Sequence, residues 1–273
     1  MLNILITSPA GGKGQWNQPA ALTHDDMATV FDGATHVLLD WDGCVALADK
    51  PLPAAIAFMR AWAGRVAIVS NNSTHMPEDF VAILAAAGIT LPASHVLLAG
   101  AEALHQARDS GAGRVMVLGD HRLKTYAKSL GLMVVREEAD LVVLLRDKQF
   151  SYVKLARAAN CLRRGARLIV ANPDLTHPGA NGCLVPETGA LLAAILAGTD
   201  HASIDYDIIG KPSRGLFERA CQVLGASPQT TVMIGDNPKT DGDGARAHGL
   251  RAVLIGPASG LSFRDFPGWS AEV

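Results

Sequence analysis

Short apolar runs alternate with longer segments of helical period along most of the chain. HVLLD (36–40), RVAIVS (65–70), HVLLAG (95–100), RVMVLG (114–119), DLVVLL (140–145), RLIVAN (167–172), TVMIGD (231–236) and RAVLIG (251–256) read as strands. PAAIAFMRAWAG (53–64), PEDFVAILAAAG (77–88), SYVKLARAANCLRRG (151–165), ETGALLAAILAG (187–198) and RGLFERACQVLG (214–225) read as helices. Proline at the first turn and glycine at the end punctuate the first two. A further helix is expected through Ser110 and another through Gly249. Continuously apolar strands are buried on both faces, and alternation with helices implies a parallel sheet covered on both sides. The fold class expected is α/β, a doubly wound parallel sheet. Residues 8–20 (SPAGGKGQWNQPA) read as a loose arm, and GGKG lacks the spacing of a phosphate-binding P-loop.

Ligands in such sheets bind beyond the carboxyl ends of the strands. Four such ends are polar: Asp40-Trp41-Asp42-Gly43, Ser70-Asn71-Asn72-Ser73-Thr74, Gly210-Lys211-Pro212-Ser213 and Gly235-Asp236-Asn237-Pro238-Lys239-Thr240-Asp241. Each is ordinary alone: D-x-D-G occurs in many loops, S-N-N-S-T in caps and turns, G-K-P-S in surface turns. All four in this order, each after an apolar run, point to one pocket if the strands are parallel and adjacent.

That pocket would gather Asp40, Asp42, Asp236 and Asp241. Carboxylates at close range need a cation or raised pKa values. Hard oxygen donors suit Mg²⁺. Lys211 adds a fixed positive charge, and Ser70, Asn71 and Asn72 add neutral donors. A phosphoryl group fits such a setting. In an extended strand Asp42 faces the same side as Asp40, so one carboxylate could attack phosphorus while the other protonates the leaving oxygen.

The chain has 273 residues, 49% hydrophobic and 18% charged, with net charge −2. That length buries a proper core in one large domain or two smaller ones. The balance gives no basic footprint for nucleic acid and none for a membrane surface. No apolar run reaches a membrane span, and the N-terminus lacks the basic region of a secretory signal. Cys44, Cys161, Cys183 and Cys221 are dispersed, so a reduced, cytoplasmic protein is expected.

The motif order resembles the haloacid dehalogenase superfamily, and within it the 4-nitrophenyl phosphatase or NagD-like subgroup. DWDGC, SNNST, NPDLTHP, GKPSRGLFERA and GDNPKTDGDGA carry the likeness, from about His36 to the last strand. It implies an aspartyl-phosphate phosphatase acting on a small phosphorylated metabolite, of the sugar phosphate, nucleotide monophosphate, glycerol phosphate or pyridoxal phosphate type. Asp40 matches the nucleophile. Asp42 matches the general acid/base, whose backbone carbonyl is a Mg²⁺ ligand. Ser70, with Asn71 and Asn72 beside it, matches the phosphoryl-binding hydroxyl, and Lys211 the neutralising lysine. Asp236 matches the acidic metal ligand, and Asp241 a second acid, ligand or outer-shell group.

The same likeness implies an inserted α/β cap at 112–204, between core segments 1–111 and 205–273, with 1–35 as an N-terminal arm. Arg146, Asp147, Asn172, Asp174 and His177 match its substrate-facing positions. A homodimer through the cap occurs in similar phosphatases. Cys44 departs from the usual residue and raises the question of oxidation sensitivity; Asp243 either adds charge near the metal or caps a helix. The competing readings are a phosphoryl-binding signalling module without turnover, or another reaction of the superfamily such as phosphonate or haloacid cleavage. A second aspartate at Asp42 disfavours both the receiver-like and the dehalogenase alternatives.

Overall fold

The computed structural model describes residues 29–178, 183–199, 204–257 and 259–266. The GGKG arm lies outside the described residues. Strand β1 (His36–Leu39) leads through a short hairpin, β2 (Ala46–Leu47) and β3 (Lys50–Pro51), into helix α1 (Pro53–Ala61). Then come β4 (Val66–Ser70), α2 (Pro77–Ala86), β5 (Val96–Leu98) and α3 (Ala99–Asp109). A second unit follows: β6 (Arg114–Leu118), α4 (His121–Ser129), β7 (Met133–Val134), β8 (Leu141–Leu144), α5 (Tyr152–Arg163) and β9 (Arg167–Val170). It continues with hairpin β10 (Thr176–Pro178) and β11 (Leu184–Pro186), α6 (Thr188–Ala197) and β12 (Tyr206–Ile208). The chain returns through α7 (Arg214–Leu224), β13 (Thr231–Gly235), α8 (Gly244–Ala247) and β14 (Arg251–Leu254).

Two parallel five-stranded sheets result, in the orders β14-β13-β1-β4-β5 and β12-β9-β8-β6-β7. Alternate residues of each strand go to opposite faces, and both faces are buried. Val37, Leu39, Ile68, Leu98 and Ile234 pack with Phe58 of α1 and Phe80 of α2 on one side. Leu38, Val69, Leu97 and Met233 pack on the other with Leu104 of α3 and Phe217 of α7. That second cluster runs on without a break into Val115, Val117, Leu141, Val143 and Ile169 of the second sheet. Helices α5 and α6 cover the far face of that sheet through Leu162, Leu192 and Ile195. The α/β class with parallel sheets is therefore observed, and one apolar layer joins the two sheets.

The strand expected before Lys211 is corrected in its partner. Tyr206–Ile208 pairs with β9 at the edge of the second sheet, not with the core strands. Only three of the four motif-bearing strands, β13, β1 and β4, are neighbours. Of the proposed arm, residues 29–35 are tied down: Phe31 packs against Phe58, Trp62 and Phe266, and the Thr35 N–H donates to Thr230 O.

Candidate active site

Strand β1 stops at Leu39, and the next residues fold into a tight loop rather than continuing as a strand. The carbonyls of Asp40 and Trp41 accept the N–H groups of Val45 and Ala46. Trp41 is fully buried and anchors this loop, its ring 4.3 Å from that of Phe80. Asp40 therefore points inward and is buried, while Asp42 stays exposed. Strand alternation is not what relates the two; the loop is. Gly43 adopts φ +82°, and a Cβ there would stand 2.3 Å from Asp236 Oδ2, so only glycine lets the loop and Asp236 approach.

Lys211 reaches this pocket from the segment that links the second sheet to α7. Its Nζ donates to Asp40 Oδ1 at 2.6 Å and lies 2.6 Å from Asp241 Oδ1. Asp241 is held by the loop after β13: its Oδ2 accepts the Asn237 N–H at 3.0 Å, while Asn237 Oδ1 accepts from the N–H groups of Lys239 and Thr240. A Cβ at Gly235 would meet Asp241 Oδ2 at 2.2 Å, so Asp241 folds back against the strand end.

Carboxylate oxygens of Asp40, Asp236 and Asp241 all lie within 4.8 Å of one another. Burial, then Lys211 opposing and Asp241 adding, leaves Asp40 pushed up to about 8. Burial and Asp241 push Asp236 up to about 6. Burial lowers Lys211, but the charges of Asp241 and Asp40 outweigh it and hold the ammonium above its usual range. Three acids against one cation leave an excess of negative charge that a divalent ion would compensate. All donors in the cluster are hard oxygens, which suits Mg²⁺. Asp42 contributes no side-chain oxygen to that cluster; it sits at the rim, raised by burial and then Asp49, and under the charges of His75, His177 and Lys211.

Ser70 is buried and its Oγ accepts the Asn72 N–H at 3.1 Å. The two asparagine side chains are held differently. Asn71 Nδ2 donates to Asp174 Oδ2 at 2.9 Å and to Lys211 O at 3.0 Å. Asn72 Oδ1 accepts the N–H groups of Thr74 and His75, closing an Asx turn. The Asn71 amide is thus committed, and the direct phosphoryl contact expected of it is corrected to a supporting one, whereas Asn72 is anchored through Oδ1 alone.

From the loop after β9, Asn172 Nδ2 donates to Asn71 O at 2.7 Å and Asn172 Oδ1 accepts the Asp174 N–H. Asp174, raised mainly by burial, lies close enough to feel Lys211 and Asp241. Asp147 does not face the pocket: it is buried, its Oδ1 accepts the Gln149 N–H and its Oδ2 pairs with Lys154 at 2.7 Å. Both oxygens are occupied, which corrects its expected substrate contact. Arg146 pairs instead with Glu187 at 3.1 Å and approaches His177 at 3.4 Å. Glu187 was missed in the sequence, and Ser73 stood there only as a member of SNNST, without a role of its own. Ser73 Oγ accepts the Arg146 N–H at 3.1 Å, with Thr188 Oγ1 at 3.2 Å and Asn172 Nδ2 at 3.5 Å. The only sequence signal for Glu187 was a charged residue opening a wholly apolar helix.

The two departures resolve simply. Cys44 is fully buried, its Sγ 3.5 Å from Ile234 O, and burial followed by Asp40 and Asp241 pushes its thiol up, away from reactive thiolate. Asp243 is exposed and pairs with Arg246 at 3.5 Å, outside the acidic cluster.

A family model described as haloacid dehalogenase-like hydrolase matches residues 37–133, and a second, HAD-hydrolase-like, matches 208–259. Dihydroxyacetone phosphatase of Corynebacterium glutamicum is 30% identical over 229 residues, covering 82% of this chain and 81% of the relative. The 5'-nucleotidase YutF of Bacillus subtilis is 31% identical over 222 residues, covering 80% and 85%. Among solved structures, p-nitrophenyl phosphatase from Archaeoglobus fulgidus superimposes with TM-score 0.75 at 26% identity, covering 85% of this chain and 89% of that one. Glycerol phosphate phosphatase from Mycobacterium tuberculosis, in complex with calcium, gives TM-score 0.72 at 28% identity, covering 82% and 67%.

Proposed function

Since this chain belongs to the haloacid dehalogenase-like hydrolases, in their NagD and 4-nitrophenyl phosphatase subgroup, we propose that it is a Mg²⁺-dependent phosphatase of small phosphomonoesters working through an aspartyl-phosphate at Asp40. The observation that carries this reading is the buried Lys211 ammonium, 2.6 Å from both Asp40 and Asp241 beside Asp236. Groups brought from three separate stretches of chain make a seat for a dianion next to a nucleophile.

Asp40 attacks phosphorus and the bond to the leaving oxygen breaks. Asp42, at the rim and raised above its usual range, gives that oxygen its proton. It then takes a proton from water, which hydrolyses the acyl phosphate and frees Asp40. Lys211 and the Ser70 hydroxyl hold phosphoryl oxygens, and Asp241 orients Lys211. Mg²⁺, held by Asp40, Asp236, the Asp42 carbonyl and with Asp241 in support, would supply charge compensation for the transferring group. Asn71, Asn172 and Asp174 clasp the cap loop to the Ser70 loop, closing the pocket against bulk water.

The named relatives act on dihydroxyacetone phosphate-type and nucleotide substrates, and one neighbour binds calcium; these support a small phosphorylated metabolite and a divalent ion here. A cytoplasmic setting fits four unpaired cysteines, and no helix among the described residues is long and apolar enough to cross a membrane. A homodimer through the cap would use the exposed Leu175 and Leu184 of the β10–β11 hairpin. Phosphate release from a panel of phosphomonoesters with Mg²⁺, repeated after chelation, tests the reading. Turnover is expected with metal and lost without it. Binding without phosphate release would favour a signalling module instead.

A further inference from the structure

The cap carries a second polar cluster that the phosphoryl chemistry does not use. Arg146 Nη1 lies 3.1 Å from Glu187 Oε1, and its Nη2 lies 3.4 Å from His177 Nε2. His177 Nδ1 stands 2.8 Å from the same Glu187 Oε1, at ion-pair distance rather than as an aligned hydrogen bond. The three residues come from the loop after β8, from β10 and from the residue before α6.

Its place in the fold is against the loop that carries Ser70. The Arg146 N–H and the hydroxyl of Thr188, which follows Glu187, both rest on Ser73 Oγ, three residues beyond Ser70. His177 is near enough for its charge to act on Asp42, and Asp174 for its charge to act on Glu187. The cluster thus lies within charge range of the acid that, in the function proposed above, protonates the leaving oxygen, and beside the Ser70 loop, which sets it on the leaving-group side of that reading.

Arg146 alone would be a receptor for a second anion on the substrate. Glu187 cancels that charge. Side-chain exposures of 18% for Arg146, 14% for Glu187 and 37% for His177 leave edges of all three accessible. What remains is a wall with no net charge from Arg146 and Glu187, offering guanidinium donors beside a carboxylate acceptor, with His177 turned to both. Such a wall hydrogen-bonds neighbouring hydroxyls, which both donate and accept, and its carboxylate repels a carboxylate or second phosphate.

We propose that Glu187 is a specificity-determining residue: by neutralising Arg146 and sharing His177, it makes the cap read an uncharged, hydroxyl-bearing leaving group and reject an anionic one. The inference rests on the phosphatase reading.

The test compares kcat/KM for three esters: glycerol 3-phosphate, phosphoglycolate, and 4-nitrophenyl phosphate as a leaving group that uses neither feature. Wild type should prefer glycerol 3-phosphate to phosphoglycolate. Glu187→Gln uncovers the guanidinium and should move the ratio toward phosphoglycolate by about tenfold or more, through KM. Arg146→Gln should move it the opposite way, which keeps the test intact if the first variant folds poorly. 4-Nitrophenyl phosphate is the reference ester, against which each variant's change on the other two is normalised. An unmoved ratio, or equal losses on all three esters, overturns the inference. Wild type inactive on every ester would instead sink the phosphatase reading itself.

Discussion

Asp40→Asn should stabilise the metal-free protein even as it removes the nucleophile. The folded structure holds the Asp40 carboxyl near 8 against an ordinary value of 3.8, chiefly through burial. The unfolded chain loses this proton near 3.8 and the folded chain near 8. Between those values the folded state binds more protons, so stability falls as pH rises. At pH 7 the penalty is at most about 4 kcal/mol. Asparagine does not titrate, nearly matches the protonated carboxyl in shape, and leaves Lys211 its contact with Asp241 at 2.6 Å. Urea unfolding in EDTA at pH 5, 7 and 8.5 would read the difference. The variant should gain over wild type as pH rises toward 8 and gain no more above it. With saturating Mg²⁺ the gap should close, because the ion stabilises the ionised form. A gap independent of pH, or a variant less stable than wild type at pH 8.5 in EDTA, would refute the reasoning.

Mg²⁺ itself should raise thermal stability, by about 2.7 kcal/mol at a hundred times its dissociation constant, and Asp236→Asn should remove most of that shift in a calorimetric titration. Gly235→Ala places a Cβ 2.2 Å from Asp241 Oδ2; displacing Asp241 from Lys211 should cost about 1–3 kcal/mol and lower kcat markedly. Ser73→Ala strips the acceptor from the Arg146 N–H and frees the Thr188 hydroxyl; urea unfolding should show a loss of about 1–3 kcal/mol, with a raised KM as the cap loosens.

The buried strands were legible because runs such as those of β1, β4, β8 and β13 are apolar on both faces. Helix α4 was missed because only Leu123 and Ala127 of its nine residues are buried, too few to set a period. The partner of Tyr206–Ile208 was misplaced because its sequence says strand but cannot say which sheet. Asp40, Asp236, Asp241 and Lys211 were legible because chemistry at strand ends has few sequence solutions. Asp147 was not, nor was the partner of Arg146: the structure gives one to Lys154 and the other to Glu187. Such pairings are decided by tertiary approach across 41 positions in the case of Arg146 and Glu187, which no local pattern records.

The central claim is that phosphorus passes through a covalent bond to Asp40. Enzyme quenched in acid during turnover of 4-nitrophenyl phosphate with Mg²⁺, then reduced with borohydride, would carry an acyl phosphate as homoserine. Mass spectrometry of the peptide spanning the loop after β1 should find homoserine at position 40, and none in protein quenched without substrate. Homoserine at another aspartate, or brisk phosphate release with Asp40 unaltered at every quench time, would contradict the account.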